Sequence, residues 1–265
     1  MQAITTTKQE YVWNKIPQLT LLFWIMKITA TTLGETGGDL LAQTMNIGYA
    51  TSTLIFFAFF LVMLTAQLVS KKYVPPIYWA VIVATSTAGT TMSDYMDRTL
   101  ELGYATGSFI LVSILLVILL LWRLTEKSLS VTHIKSFRGE LFYWVAILFS
   151  NTLGTALGDF LADDSGLGFG GSALLISAVL ALVVLAYYFT KLSRILLFWI
   201  AFILTRPFGA TFGDLLTKTK EKGGLGYGTK GATAILLGLL IVLIIYEVAK
   251  LKKKKAVTKT ALYKL

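Results

Sequence analysis

The chain has no cysteine, a single histidine and four prolines, and only 14% of its 265 residues are charged. Without cysteine there are no disulfides, thiolate metal sites or cysteine nucleophiles. The lone His133 lies in a basic loop and reads as a solvated loop residue rather than a metal ligand. Acids are scarcer than bases, 14 against 24. There is no phosphate loop, nucleotide motif or soluble catalytic domain, so ATP-driven chemistry would need another subunit. No cleavable leader is expected either, because the first apolar run is long and lacks a small-residue cleavage pattern. What the chain has in quantity is apolar surface: 55% of its residues are hydrophobic and the mean hydropathy is +0.72. That composition belongs to integral membrane proteins.

Apolar runs of about 20 residues, enough to cross a hydrocarbon core about 30 Å thick, recur along the chain. Eight are expected, near 17–41, 50–70, 76–95, 105–123, 141–161, 171–190, 194–214 and 231–249. The fold class is therefore all-α, a polytopic membrane protein of about eight transmembrane helices. Lys8 and Lys15 precede the first run, and Lys71 and Lys72 follow the second. Arg123, Lys127, Lys135 and Arg138 follow the fourth, Lys191 and Arg194 the sixth, and a KLKKKK segment the eighth. The acids Asp97, Glu101, Asp163 and Asp164 fall in the opposite connections. The positive-inside rule places both termini and the even-to-odd connections in the cytoplasm. The net charge of +10 is then a topology signal, and no nucleic-acid partner is expected. The expected organisation is a cytoplasmic segment 1–16, a membrane half 17–123, a basic linker 124–140, a second half 141–249 and a basic tail 250–265. That tail is either solvated or touches anionic lipid.

Trp24, Trp79, Trp144 and Trp199 put these runs in register. Ten residues after each stands Gly34, Gly89, Gly154 or Gly209, and fifteen after each stands Asp39, Asp94, Asp159 or Asp214. Gly38, Ser93, Gly158 or Gly213 precedes the aspartate, and an IGYAT, LGYAT, LGFGG or LGYGT element opens the next run. The chain is thus four tandem two-helix repeats inserted in the same sense. The longer step between the second and third copies suggests two halves related by a pseudo-twofold axis along the membrane normal. The odd-numbered helices, rich in small and polar residues, are expected at the centre.

The glycine-aspartate hairpin, repeated four times over roughly residues 20–250, resembles the DUF347-repeat family of uncharacterised bacterial multispanning membrane proteins. That resemblance implies an architecture and a bacterial inner membrane location, with no established substrate. A looser analogy connects ETGGDLL, Glu35 to Leu41, with the E-x-G-D-[KR]-[TS] signature of the UPF0016 cation/proton exchangers. It departs from that signature by one extra residue and by the lack of a following basic residue.

A carboxylate at the centre of a lipid-embedded helix costs about 2.5–3.5 kcal/mol, so such acids face a polar interior or water. Fifteen residues of helix span about 22 Å, which puts all four aspartates at one depth in the outer part of the membrane. Asp39, Asp94, Asp159 and Asp214 are thus expected to form an acidic ring facing outward. Glu35, four residues before Asp39, would share its face and is the candidate for proton coupling. Glu35, Asp39, Asp159 and Asp214 form the tentative metal set, their oxygens suiting a hard divalent cation as substrate. The alternative is structural: aspartates capping the outer loops, and Glu35 paired with a basic residue. Gly34, Gly38, Gly154, Gly158, Gly209 and Gly213 either open the helices or serve as packing surfaces.

Seven residues after each tryptophan stand Thr31, Ser86, Asn151 and Arg206. Arg206 with Pro207 reads as a broken helix carrying a buried guanidinium. Lys27 either snorkels to the cytoplasmic face, the preferred reading, or joins Arg206 as a basic residue of the pathway. Thr31, Ser86 and Asn151 supply either pathway oxygens or interhelical hydrogen bonds. The leading functional expectation is a non-enzymatic transporter of a small cation, such as Mn²⁺ exported against protons. The alternatives are an anion or metabolite transporter using Arg206, and an intramembrane aspartyl enzyme using Asp94 and Asp159. No cofactor is expected; the partners are lipid, the transported cation and protons, and small-residue faces also permit a homodimer.

Overall fold

The structure is a computed structural model that describes residues 15–131, 134 and 136–262, with side chains as far as residue 254. His133, Lys8, Lys135 and the end of the basic tail lie outside the residues so described. Eight long helices follow one another: α1 (Leu21–Asp39), α2 (Tyr49–Val69), α3 (Pro75–Asp94), α4 (Tyr104–Glu126), α5 (Phe137–Asp159), α6 (Gly168–Phe189), α7 (Arg194–Thr217) and α8 (Gly228–Leu262). The last outruns its apolar stretch and continues through the lysine-rich segment, whose residues are good helix formers.

The odd helices close a ring: α1 lies against α3, α3 against α5, α5 against α7 and α7 against α1. The even helices stand outside, each on the odd helix that follows it, α2 on α3, α4 on α5, α6 on α7, and α8 returning to α1. Composition explains the sorting. The most apolar stretches of α2, α4, α6 and α8 are only 22, 22, 17 and 11% buried, against 72% for α5 and 56% for α7. Helices that present Leu54, Phe109, Leu174 and Ile235 outward are suited to lipid and poorly suited to water. Among the described residues, six helices, α2 and α4 to α8, are long and apolar enough to cross a membrane.

Glycine sets the spacing of the ring. A side chain at Gly89 would meet the backbone nitrogen of Thr152 at 2.9 Å, and one at Gly209 would meet Thr31 Oγ1 at 2.6 Å. Gly34 bears on Ser86 and Gly154 on Arg206 in the same way. Each helix therefore offers its tenth-position glycine to the seventh-position polar residue of the next helix, all the way round. One turn further on, Gly38 faces Thr90, Gly158 faces Ala210 and Gly213 faces Glu35. The glycines are packing surfaces. The expected helix opening at Gly34, Gly38, Gly154, Gly158, Gly209 and Gly213 does not occur, because α1, α5 and α7 run unbroken through them. Nor is α7 broken at Pro207, which lies within a continuous helix.

The tryptophans form an aromatic layer inside the ring rather than a belt at its surface. Phe23 meets Trp79, Tyr78 meets Trp144, and Phe198 meets Trp24, with ring centroids 5.4 to 5.9 Å apart. Trp122 from α4 fills the remaining corner between Tyr143 and Trp199. The Tyr78 and Tyr143 hydroxyls hydrogen-bond at 2.6 Å, which closes this end of the ring.

Candidate functional site

Polar side chains form a column inside the ring, in three layers above the aromatic one. Lys27 belongs to the lowest. It is fully buried, with its ammonium 3.4 Å from Asn151 Oδ1 and 4.0 Å from the centre of the Phe202 ring. The expected snorkelling does not occur, because Lys27 points inward where Asn151 and Phe202 receive it. Asn151 donates in turn to Thr85 Oγ1 at 2.9 Å and Ser86 Oγ at 3.2 Å. Thr31 donates to the Thr205 carbonyl at 3.2 Å. Thr31, Ser86 and Asn151 are thus interhelical hydrogen-bonding residues in this structure.

Arg206 and Glu35 make the middle layer, both buried. The guanidinium reaches Glu35 Oε2 with Nη1 at 3.1 Å and Nη2 at 3.0 Å. Nη2 also donates to Thr90 Oγ1 and, at 2.6 Å, to Thr155 Oγ1. Glu35, Thr90 and Thr155 occupy one register position in three repeats, and Ala210 in the fourth leaves room for the arginine of its own helix. Arg206 Nε has no hydrogen-bond partner among the described residues. The alternative reading of Glu35, as partner to a basic residue, describes this arrangement.

The four aspartates form the upper layer, each 2 or 3% exposed. They are divided into two pairs by two cations that the motif analysis passed over. Arg98 bridges Asp94, with Nε at 2.9 Å from Oδ1, and Asp159, with Nη2 at 3.1 Å from Oδ2. Lys218 bridges Asp39 Oδ2 at 2.6 Å and Asp214 Oδ1 at 3.2 Å. Each cation therefore joins the aspartate four residues before it to that of the next helix in the ring. The signal was available: Arg98 and Lys218 both stand nineteen residues after a tryptophan, where the other repeats have Gln43 and Asp163. Gln43 reaches the aspartate four residues before it, donating to Asp39 Oδ1 at 2.5 Å.

The aspartates are not caps. Asp39, Asp94 and Asp159 lie where α-helix passes into a single π-helical segment, Leu40–Thr44, Tyr95–Thr99 or Phe160–Asp164, without a capping hydrogen bond from their side chains. Nor do they make one open acidic ring. Glu35, Asp39 and Asp214 can each bring an oxygen within 4.8 Å of the others, a group able to hold a metal ion. Asp159, expected in that set, is held with Asp94 by Arg98 instead. Of the residues singled out from the sequence, the structure gathers Glu35, Asp39, Asp214 and Arg206 at one side of the column and Asp94 and Asp159 at the other.

Apolar helices outside, a glycine-spaced ring inside and a buried charged column within it define an integral membrane protein of four tandem helical hairpins. Residues 22–73, 77–128, 142–193 and 197–251 each match the model of the Repeat of Unknown Function (DUF347), and the chain belongs to that family. No curated protein and no solved structure matches it. The analogy with the UPF0016 exchangers finds no support in these matches.

Proposed function

We propose that the protein is a secondary transporter of a small cation, best of all a divalent metal ion such as Mn²⁺, exported in exchange for protons across a bacterial inner membrane. The observation that carries this reading is the imbalance of charge in the buried column. Five buried carboxylates, Glu35, Asp39, Asp94, Asp159 and Asp214, share the column with four basic groups, Lys27, Arg98, Arg206 and Lys218, and Glu35, Asp39 and Asp214 lie close enough together to hold a metal ion. Oxygen-only ligands suit Mg²⁺, Mn²⁺ or Ca²⁺. Carboxylates that exchange a metal for protons are a common means of coupling in membrane carriers.

In this proposal all eight long helices cross the membrane. The polar α1 and α3 do so inside the ring, where they need not be apolar. The termini and the aromatic layer lie on the cytoplasmic side, and the Arg98 and Lys218 bridges are related by a pseudo-twofold axis through the ring. No catalysis is assigned. The guanidinium of Arg98 lies between Asp94 and Asp159, where an aspartyl enzyme would need a shared proton and a water. An anion carrier would need Arg206 free, and Glu35, Thr90 and Thr155 engage it.

The test is ion flux into proteoliposomes holding a pH-sensitive dye, with Mn²⁺, Mg²⁺, Ca²⁺ and Na⁺ offered in turn. Cation uptake with opposite proton movement is expected for the parent. It should be lost in folded Asp39→Asn/Asp214→Asn protein and only reduced in Asp94→Asn/Asp159→Asn protein. Equal flux in parent and both double variants would remove the aspartates from the mechanism. No flux of any of the four ions would overturn the cation reading.

A further inference from the structure

The two bridged aspartate pairs look alike, yet they differ in three ways that bear on how a cation would reach them. The first is the bridging group. A guanidinium offers several donors in a rigid plane and holds two carboxylates at once, whereas an ammonium is a compact point charge on a flexible stem. The second is the company: Glu35 joins Asp39 and Asp214 within ligand distance, so the lysine sits among three carboxylates. The third is the mounting. Arg98 is fixed inside the helical segment Tyr95–Thr99. Lys218 comes after the last turn of α7, in extended backbone (φ −67°, ψ 154°), at the start of a connection in which Gly223 and Gly226 take positive φ, as does Gly228 where α8 begins. The fourth repeat is the one whose aspartate helix ends here without a π-helical extension.

We propose that Lys218 is a tethered counter-cation that occupies the cation site in this structure and must withdraw before the transported ion binds. Resting on the cation-transport reading above, this makes Lys218 a residue that sets affinity and Arg98 a fixed clamp between α3 and α5. The Lys218 ammonium contacts Asp39 and Asp214, the carboxylates a metal would need, and neutralises them when the site holds no ion. Its contact with Asp214 Oδ1, at 3.2 Å, is an ion pair without an aligned hydrogen bond. The Lys218 side chain keeps 18% of its surface exposed, less than the 34% of Arg98, so the distinction between the two rests on their mounting and on the nature of the cation.

A competitor built into the site lowers apparent affinity by the fraction of time the site is free, and removing it restores the difference. If the site is free about one tenth of the time, Lys218→Gln should bind Mn²⁺ about tenfold more tightly. Its maximal turnover should fall, because the emptied carrier has lost the charge that resets it. The probe is Mn²⁺ itself, its bound fraction read by electron paramagnetic resonance on protein in nanodiscs, alongside KM and kcat for flux. Arg98→Gln should not tighten binding.

The absence of cysteine allows a second variant. Lys218→Cys should bind tightly, and attaching an ethylammonium group through a methanethiosulfonate reagent should return it to parental affinity. Weaker or equal Mn²⁺ binding in both lysine variants, with parental transport intact, would overturn the role of Lys218 while leaving the transport reading standing. Absence of binding and flux for all four cations in every variant would overturn both. Tightening in Lys218→Gln that the restored ammonium fails to reverse would also overturn it, since charge would then not be the cause.

Discussion

At the scale of single residues, the decisive feature is that Arg98, Arg206 and Lys218 each pair with a carboxylate of another helix in the ring. Arg206 and Glu35 share two hydrogen bonds with no exposed surface on the arginine. Removing one member of such a pair leaves the other uncompensated, at about 3–5 kcal/mol, whereas removing both costs much less. Glu35→Gln and Arg206→Met should each lower the thermal unfolding midpoint in detergent markedly, and the combined variant should lie above the sum of the two. Additive losses would mean the pair is not a unit. Glu35 and Arg206 were legible in the sequence because they break a fourfold pattern at positions where the other copies are neutral. The partners of Arg98 and Lys218 were not, because their shared register position nineteen residues after a tryptophan marks the two as equivalent but does not reveal which carboxylate a flexible side chain will reach. Lys27 was misjudged for a related reason: snorkelling is the default for a lysine near a helix start, and only the inward face shared with Asn151 and Phe202 overrules it.

At the scale of helices, glycine decides which elements touch. An added methyl at Gly89 would press on backbone atoms of Thr152 and Asn151, which cannot turn aside as a side chain can. Gly89→Ala should therefore cost about 1–3 kcal/mol by overpacking. Gly238, in α8 with nothing within 4 Å, is the control. Gly238→Ala should leave stability unchanged or raise it by about 0.5–1 kcal/mol through helix propensity. Equal losses at both sites, measured as thermal midpoints of purified protein, would contradict the ring packing. The helices themselves were readable from apolar length, and the central position of the odd ones from their small and polar residues. What length and glycine content do not carry is continuity. A glycine-rich, proline-bearing segment looks breakable by itself, and α7 stays whole because neighbouring helices fill the space that its glycines vacate.

At the scale of the molecule, buried ion pairs tie each repeat to others. Arg206 is held by residues of α1, α3 and α5, and Lys218 joins α7 to α1. A chain cut within the basic linker should leave each half with unpaired buried charge. Neither 1–130 nor 131–265 should accumulate alone in membranes, while coexpressed halves should copurify and regain cation binding. Stable accumulation of a solitary half would argue that repeats fold independently. The cyclic order of the ring also bears on synthesis. Because α1 closes against α7 and α8, the first helix made is among the last to be completed. Lys27, Glu35 and Asp39 must wait until the fourth repeat emerges with Phe202, Arg206 and Lys218. A ribosome stalled before the fourth repeat would thus hold a first helix with its charges unmatched, which makes this end of the chain the natural place for membrane quality control to act.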